Sequence, residues 1–408
     1  MSRPIVIQKY GGTSVGDAEK IKKVARRIVQ TMKKEKEVVA VVSAPGDTTS
    51  RLMDMAYSIS KNPDERELDV LLATGEQQGI SLVAMAIKEM GYKAISFTGH
   101  QVGIVTDSFH SRARIKKIDT SKVIKALDEG NIVIVAGFQG ISEEENITTL
   151  GRGGSDLSAV ALAAVLDARA CEIYTDVEGV FTADPSIVKN ARKINEISYD
   201  EMLELASSGA KVMQSRSLEI AKKHNIVINI KSSMNNNSKE SGTMIMKETK
   251  DLEQVVVRGV TLDEDQVKMS IMGVPDKPGM AAQIFGSLSK ENINVDMIIQ
   301  SSAYKSGEND ISFTVDHSRL NRAREILEKV KNKIGAKEII VDEDVDKVSI
   351  VGVGMRSHAG VASKMFEVLA KKGINIEMIS TSEIKISCVV SRNKGKTALK
   401  ELHHEFCE

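Results

Sequence analysis

The chain has 408 residues, enough for two or three domains of roughly 150 residues each. Its 56 lysines and arginines balance 56 aspartates and glutamates, which excludes a broad basic field for nucleic acid or an anionic membrane. With 41% hydrophobic and 27% charged residues it reads as globular, and with 3% aromatics and no tryptophan it offers few platforms for stacked bases. Cys171, Cys388 and Cys407 are too scattered for a disulfide framework or a Cys-rich zinc site, and the seven histidines form no zinc set. The opening MSRPIVIQKY lacks the apolar stretch of a signal peptide, and no run approaches about 18 apolar residues. A cytoplasmic protein with no nucleic-acid or membrane partner is expected.

In chain order, residues 5–8 read as a strand, 18–34 as a helix and 38–42 as a second strand, followed by a turn at Ala44-Pro45-Gly46. Residues 67–90 are helical and 94–97 form a strand. Residues 132–136 and 172–175 are nearly continuous apolar strands, with a helix over 157–166 between them. Such runs belong to strands buried on both faces, so the spacing predicts an α/β domain over 1–245 with a mainly parallel sheet covered by helices.

A polar run over 232–242 marks a boundary, and beyond it lies an internal repeat. GMAAQIF at 279–285 matches GVASKMF at 360–366, and INVDMI at 293–298 matches INIEMI at 374–379, both 81 residues apart. Each copy begins strand, helix, strand, strand, helix. The first ends in a further strand near 338–341, whereas the second runs out after a helix at 397–403. A strand over 254–258 would fill the missing place. The expected domains are therefore a first small α+β domain at 265–343, inserted within a second made of 250–264 plus 344–408. Helices on one sheet face leave the other face or the edge for a partner copy.

The chemistry-bearing residues follow strands. Lys9-Tyr-Gly-Gly-Thr-Ser14 places Lys9 at a strand's carboxyl end, where open α/β sheets bind ligands, with Gly11 and Gly12 allowing close backbone approach. A lysine there neutralises charge on a transferring phosphoryl group, although the same residues also make an ordinary turn. The segment from Ser43 to Thr49 also follows a strand, and Thr74-Gly-Glu76 reads as a helix start. Both suit the grip of a small zwitterion, and both equally suit helix capping. Gly151-Arg-Gly-Gly-Ser-Asp156 is the densest cluster: Arg152 fits bidentate capture of a carboxylate, and Asp156 stands at a helix start beside Ser155. It is neither a Walker A motif nor a Rossmann fingerprint. YTDVEGVFTADP at 174–185 and GAKV at 209–212 frame a nucleotide or form plain surface loops. Lys211 would add a second positive charge opposite Lys9, and two lysines held by an aspartate suit in-line transfer without a covalent enzyme intermediate.

Together KYGGTSV at 9–15, SAPGDTT at 43–49, ATGE at 73–76, GFQG at 137–140, TTLGRGGSD at 148–156, YTDVEGVFTADP at 174–185, GAKV at 209–212 and the segment 353–390 resemble, in order, the aspartokinases of the amino-acid kinase superfamily. The resemblance covers nearly the whole chain. It implies a three-layer kinase domain with two C-terminal ferredoxin-like ACT domains. It also implies transfer of the γ-phosphoryl group of ATP to the side-chain carboxylate of L-aspartate, the first step toward lysine, threonine and methionine. Carried onto this chain, Lys9, Asp156 and Lys211 would be catalytic. Ser43, Thr49, Glu76, Arg152 and Ser155 would hold aspartate, with Arg152 on a carboxylate and Glu76 facing the ammonium. Gly11, Gly12 and Ser14 would line the phosphates, and Thr175, Asp176, Phe181, Asp184 and Lys211 would surround ATP, which brings Mg2+. Lysine and/or threonine would act as effector between Asp276, Lys277, Pro278, Gly279, Met280, Ala281 and the opposing Ile379, Ser380, Thr381, Ser382, Glu383. Assembly would be a homodimer through the ACT domains, or a tetramer.

Two other readings stay open on the residues alone. One is a kinase of this fold acting on another acid such as glutamate. The other is a catalytically quiet amino-acid sensor, supported by Phe181 where the family commonly has tyrosine and by Ser186 where it has arginine.

Overall fold

The structure, a computed structural model, describes residues 4–35, 37–210, 212–234, 242–247, 256–302 and 307–408. It divides into two units. The first comprises Met1–Val180, Lys193–Ala206 and Lys211–Lys250, and the second Phe181–Arg192, Ser207–Ala210 and Asp251–Glu408.

The first unit is built on an eight-stranded sheet in the order Glu196–Ser198, Thr243–Met246, Ile228–Ser232, Ala170–Thr175, Ile5–Tyr10, Glu37–Val42, Ile132–Ala136, Ala94–Phe97. Among the described residues every pairing is parallel except that of Ile228–Ser232 with Thr243–Met246. Alternation sends Tyr10 and Lys9 to opposite faces. On the Tyr10 face the Ala18–Glu35 helix presents Ile21, Val24, Ala25, Ile28 and Val29, a helical stripe that packs on Val38, Ala40 and Val42. The Lys9 face is covered by the Gly154–Val165 helix, buried from Gly154 to Ala163, whose Gly, Ser and Ala positions let it lie close. A four-stranded sheet of Ile115–Ile118, Ile104–Thr106, Gln139–Ser142 and Ile147–Thr149 also forms. Its strands are three or four residues long and mixed in polarity, so no periodicity announces them.

One helix, Glu65–Glu89, is long and apolar enough by length and composition to cross a membrane. It buries Leu72, Ile80, Val83 and Ile87 in the first unit and carries the buried carboxylates Asp69 and Glu76. Asp64 caps it by accepting from the amides of Arg66 and Glu67 at 3.0 and 3.2 Å. Thr74 and Glu76, for which a helix start and the grip of a zwitterion were both open, therefore sit in the interior of a helix expected over 67–90, which excludes the helix-start reading. The apolar positions continue unbroken through them, and the true start lies at Asp64.

The second unit contains two four-stranded sheets. One runs Ile298–Ser302, Glu308–Asp316, Gln266–Pro275, Glu338–Asp342, with helices Met280–Lys290 and Leu320–Ile334 packed on it. The other runs Gly259–Asp263, Val345–Val351, Lys385–Ser391, Met378–Thr381, with helices Val361–Lys371 and Arg392–Cys407. Gly259–Asp263 pairs antiparallel with Val345–Val351, as Glu338–Asp342 does with Gln266–Pro275. The added strand thus begins at Gly259. Of the 254–258 segment expected there, residues 254 and 255 lie outside the described residues and 256–258 are not strand.

Candidate active site

The sheet brings the carboxyl ends of Ile5–Tyr10, Glu37–Val42, Ile132–Ala136 and Ala170–Thr175 side by side. Lys9 stands at the first and reaches Asp156 in the first turn of the Gly154–Val165 helix, Nζ to Oδ1 2.6 Å, with both side chains about nine-tenths buried (12% and 11% exposed). Asp156 is thereby an ion-pair partner as well as a first-turn acid. Gly11 donates its amide to the Tyr174 carbonyl at 3.3 Å, tying this turn to the neighbouring strand end. Gly12 leads into a short 3-10 turn, Gly12–Val15, and its carbonyl accepts the Gly46 amide at 2.9 Å. A Cβ at Gly12 would lie 2.6 Å from the Ala44 carbonyl oxygen, so only glycine lets these two loops approach. Within the turn Ser14 is buried and its hydroxyl has no hydrogen-bond partner among the described residues.

The Ser43–Thr49 loop is pinned from below by the Glu65–Glu89 helix. A Cβ at Gly79 would meet the Ser43 carbonyl oxygen at 2.6 Å. That closeness lets Glu76 Oε1 accept the Ala44 amide at 3.2 Å, while Oε2, also buried, has no hydrogen-bond partner among the described residues. Burial, opposed by the Ala44 amide, pushes the Glu76 carboxyl up to about 7. A buried carboxylate with a free oxygen suits an incoming ammonium.

Across the sheet ends, a Cβ at Gly137 would sit 2.7 Å from Ser155, which places Ser155 against the Ile132–Ala136 strand. Phe138 holds a left-handed φ of 67°, its amide donating to Ser158 Oγ at 3.1 Å and its carbonyl accepting from Leu150 at 2.8 Å. The following loop turns through Gly151 (φ 79°) and Gly153 (φ 65°), leaving Arg152 between them exposed. Thr49 lies in the first turn of the Thr48–Ile59 helix, part exposed, and Thr175 ends its strand with its hydroxyl donating to Asp176 at 3.0 Å.

Two supports of this loop escaped sequence reasoning. Arg216 donates to the carbonyls of Leu150 at 2.7 Å and Ala113 at 2.8 Å. Asp69, fully buried, accepts from Thr149 at 2.5 Å and from the Ser111 amide at 3.0 Å, and faces His110 Nδ1 at 2.9 Å. An aspartate on the apolar side of a helix is the signal that marks Asp69; Arg216 has no comparable one.

Phe181 and Asp184 belong to the second unit, where Asp184 Oδ1 accepts from the Ser186 amide at 2.8 Å and hydroxyl at 2.6 Å. Lys211 lies outside the described residues. Asp276, Lys277, Pro278 and Gly279 form the turn before the Met280–Lys290 helix, with Ala281 in its first turn and Asp276 accepting from Asn309 at 3.0 Å. Ile379, Ser380 and Thr381 lie on the edge strand Met378–Thr381, and Ser382 and Glu383 in the turn after it, where Glu383 meets Arg356 at 3.0 Å.

Residues 4–232 match the amino acid kinase family, and 269–330 and 348–406 match the ACT domain. An aspartate kinase of Pseudomonas putida is 48% identical over 98% of this chain and 97% of its own. E. coli aspartokinase III, in its R-state complex with aspartate and ADP, is similar at 25% identity with a TM-score of 0.85, covering 99% of this chain and 100% of that one. The same enzyme in its T-state complex with lysine and aspartate gives 25% and 0.76 over the same shares. A kinase sheet with ACT domains defines the broader class, and at this identity over nearly the full length the chain belongs to the aspartate kinases. It is an ATP-using enzyme of amino-acid biosynthesis, with feedback regulation through its ACT domains.

Proposed function

We propose that the strand-end site transfers the γ-phosphoryl group of ATP to the side-chain carboxylate of L-aspartate, giving 4-phospho-L-aspartate and ADP. The observation that carries this reading is the buried Lys9–Asp156 pair, at 2.6 Å, on the carboxyl edge of a parallel sheet. A carboxylate oxygen is already nucleophilic at neutral pH, so the site needs orientation and charge neutralisation rather than a strong base. The aspartate oxygen forms the new O–P bond as the bond from γ-phosphorus to the bridging oxygen breaks, and the electron pair leaves with ADP. Lys9 neutralises the charge spread over the transferring group, Lys211 adds a second positive charge, and Asp156 keeps Lys9 aimed. Glu76 takes the substrate ammonium on its free oxygen, Arg152 a carboxylate, and Ser43, Thr49 and Ser155 the remaining polar edges.

The orphaned Ser14 hydroxyl, with Gly11 and Gly12, fits phosphate oxygens. Thr175, Asp176, Phe181, Asp184 and Lys211 would complete the nucleotide site. Among the described residues no cluster of three or more His, Cys, Asp or Glu side chains could hold a metal ion. Mg2+ would come with ATP, held by its phosphates together with waters and one or two carboxylates, and no step is assigned to it.

The ACT domains, 265–343 and 250–264 with 344–408, would take lysine and/or threonine at a domain interface between the Asp276–Ala281 turn and the opposing 379–383 segment. The edge positions Ile298 and Ile379, equivalent in the repeat, are 50% and 41% exposed, as an uncovered interface requires.

Lys9→Met tests the catalytic assignment. It should lower kcat by about 100-fold or more with the far-ultraviolet spectrum unchanged. A variant within about threefold of the parent would remove Lys9 from the chemistry.

A further inference from the structure

The motif assigned to the nucleotide is split between the two units. Val180 belongs to the first, where its amide donates to Thr243 Oγ1 at 2.8 Å, while Phe181–Arg192 belongs to the second. That stretch is built into the core beneath the C-terminal helix: Ala183 and Val188 are buried with Val260, Leu399, Leu402 and Cys407. Thr182 is its fixed point. Its carbonyl accepts the Val260 amide at 2.8 Å, its amide donates to the Arg192 carbonyl at 2.9 Å, and its Oγ1 accepts the Arg192 amide at 3.0 Å. The same Oγ1 lies 2.8 Å from Nε2 of His403, a fully buried residue of the Arg392–Cys407 helix. The Thr182 oxygen accepts from Arg192, and its hydroxyl proton can donate to Nε2, an arrangement that suits neutral His403 with its proton on Nδ1, 3.6 Å from Glu408 Oε1. Burial first, with Arg192 nearby and Glu408 opposing, holds the His403 pKa below its ordinary value and favours that neutral form. The Arg192 guanidinium closes the ring by donating to the Cys407 carbonyl, and Asn190 donates to Glu408 at 3.3 Å.

Such a set of bonds goes beyond what a surface loop requires. We propose that Thr182 and His403 are positioning residues for the nucleotide, holding Phe181 and Asp184 in their ATP-binding conformation from the C-terminal helix. This rests on the reading that Phe181 and Asp184 face ATP. Affinity for ATP then depends partly on one hydrogen bond between a threonine and a histidine.

Thr182→Val keeps the shape and removes the hydroxyl, so it isolates that bond. The full-length variant should show an ATP KM raised about fivefold, the worth of one buried hydrogen bond, with kcat and the aspartate KM within about twofold. Thr182→Ser should restore the ATP KM, and Thr182→Val combined with His403→Leu should be no worse for ATP than the more impaired single variant. An unchanged ATP KM in Thr182→Val, an equal rise in both KM values, or failure of serine to restore it would overturn the proposal. Should His403→Leu fail to fold, the Thr182 pair decides alone. Phe181→Ala and Asp184→Ala are measured in parallel. If neither changes the ATP KM, the nucleotide assignment falls and the proposal with it; if they raise it while Thr182→Val does not, only the tie is wrong.

Discussion

At the scale of single residues the site is an arrangement of groups left incomplete by folding. Glu76 is the clearest: its carboxyl is raised from 4.5 to about 7 because burial outweighs the opposing hydrogen bonds from its own amide and that of Ala44. A folded-state pKa above the unfolded value means the native protein binds the proton more tightly, so stability falls as pH rises from about 4.5 to about 7 and levels off beyond. The penalty above pH 7 is about 3 kcal/mol. Glu76→Gln removes that penalty and keeps an acceptor for the Ala44 amide. We expect its melting temperature to exceed the parent's at pH 8 and the difference to shrink toward pH 5, while its aspartate KM rises at least about tenfold from the lost ammonium contact. A melting temperature no higher than the parent's at pH 8 would show that Glu76 is not strained by burial. Lys9 and Asp156 follow the opposite logic, since each compensates the other. Asp156→Ala leaves Lys9 without its partner and should lower both kcat and thermal stability, measured by steady-state rates and calorimetry.

At the scale of elements, the Glu65–Glu89 helix decides where the substrate loop can lie. Helix propensity alone favours alanine over glycine by about 1 kcal/mol at Gly79. The Ser43 carbonyl 2.6 Å from the added Cβ argues the other way, and overpacking against backbone costs about 1–3 kcal/mol. Sterics should win: Gly79→Ala is expected to be less stable to urea and to raise the aspartate KM, because Ser43 and Ala44 must move. This helix also shows how far the sequence could be read. Its apolar period was legible over 67–90, and Glu76 fits both a capping residue and a grip for an ammonium; only the N-cap at Asp64 removes the capping reading. The central strands were legible because runs such as IVIVA have one burial solution. Arg216 was not, because its two carbonyl partners, Leu150 and Ala113, are 66 and 103 residues away. The strand Gly259–Asp263 was placed a few residues early, since VVVRGVTL offers a β-branched run with no internal stop.

At the scale of the whole molecule, a kinase sheet is joined in one chain to two repeated sheets, and the proposed effector site depends on what meets their edges. Ile379 is exposed on such an edge. Ile379→Glu should convert the expected dimer to a 44.4 kDa species in light scattering and abolish amino-acid inhibition together. A variant that stays dimeric and inhibitable would place the interface elsewhere. The most direct test of the account is acyl-phosphate formation from ATP, magnesium and L-aspartate, trapped with hydroxylamine. L-glutamate is run alongside, with lysine and threonine added singly and together. Hydroxamate should depend on aspartate, exceed that from glutamate, and fall when at least one of the two amino acids is present. No product from aspartate at saturating ATP, or more from glutamate than from aspartate, would contradict it.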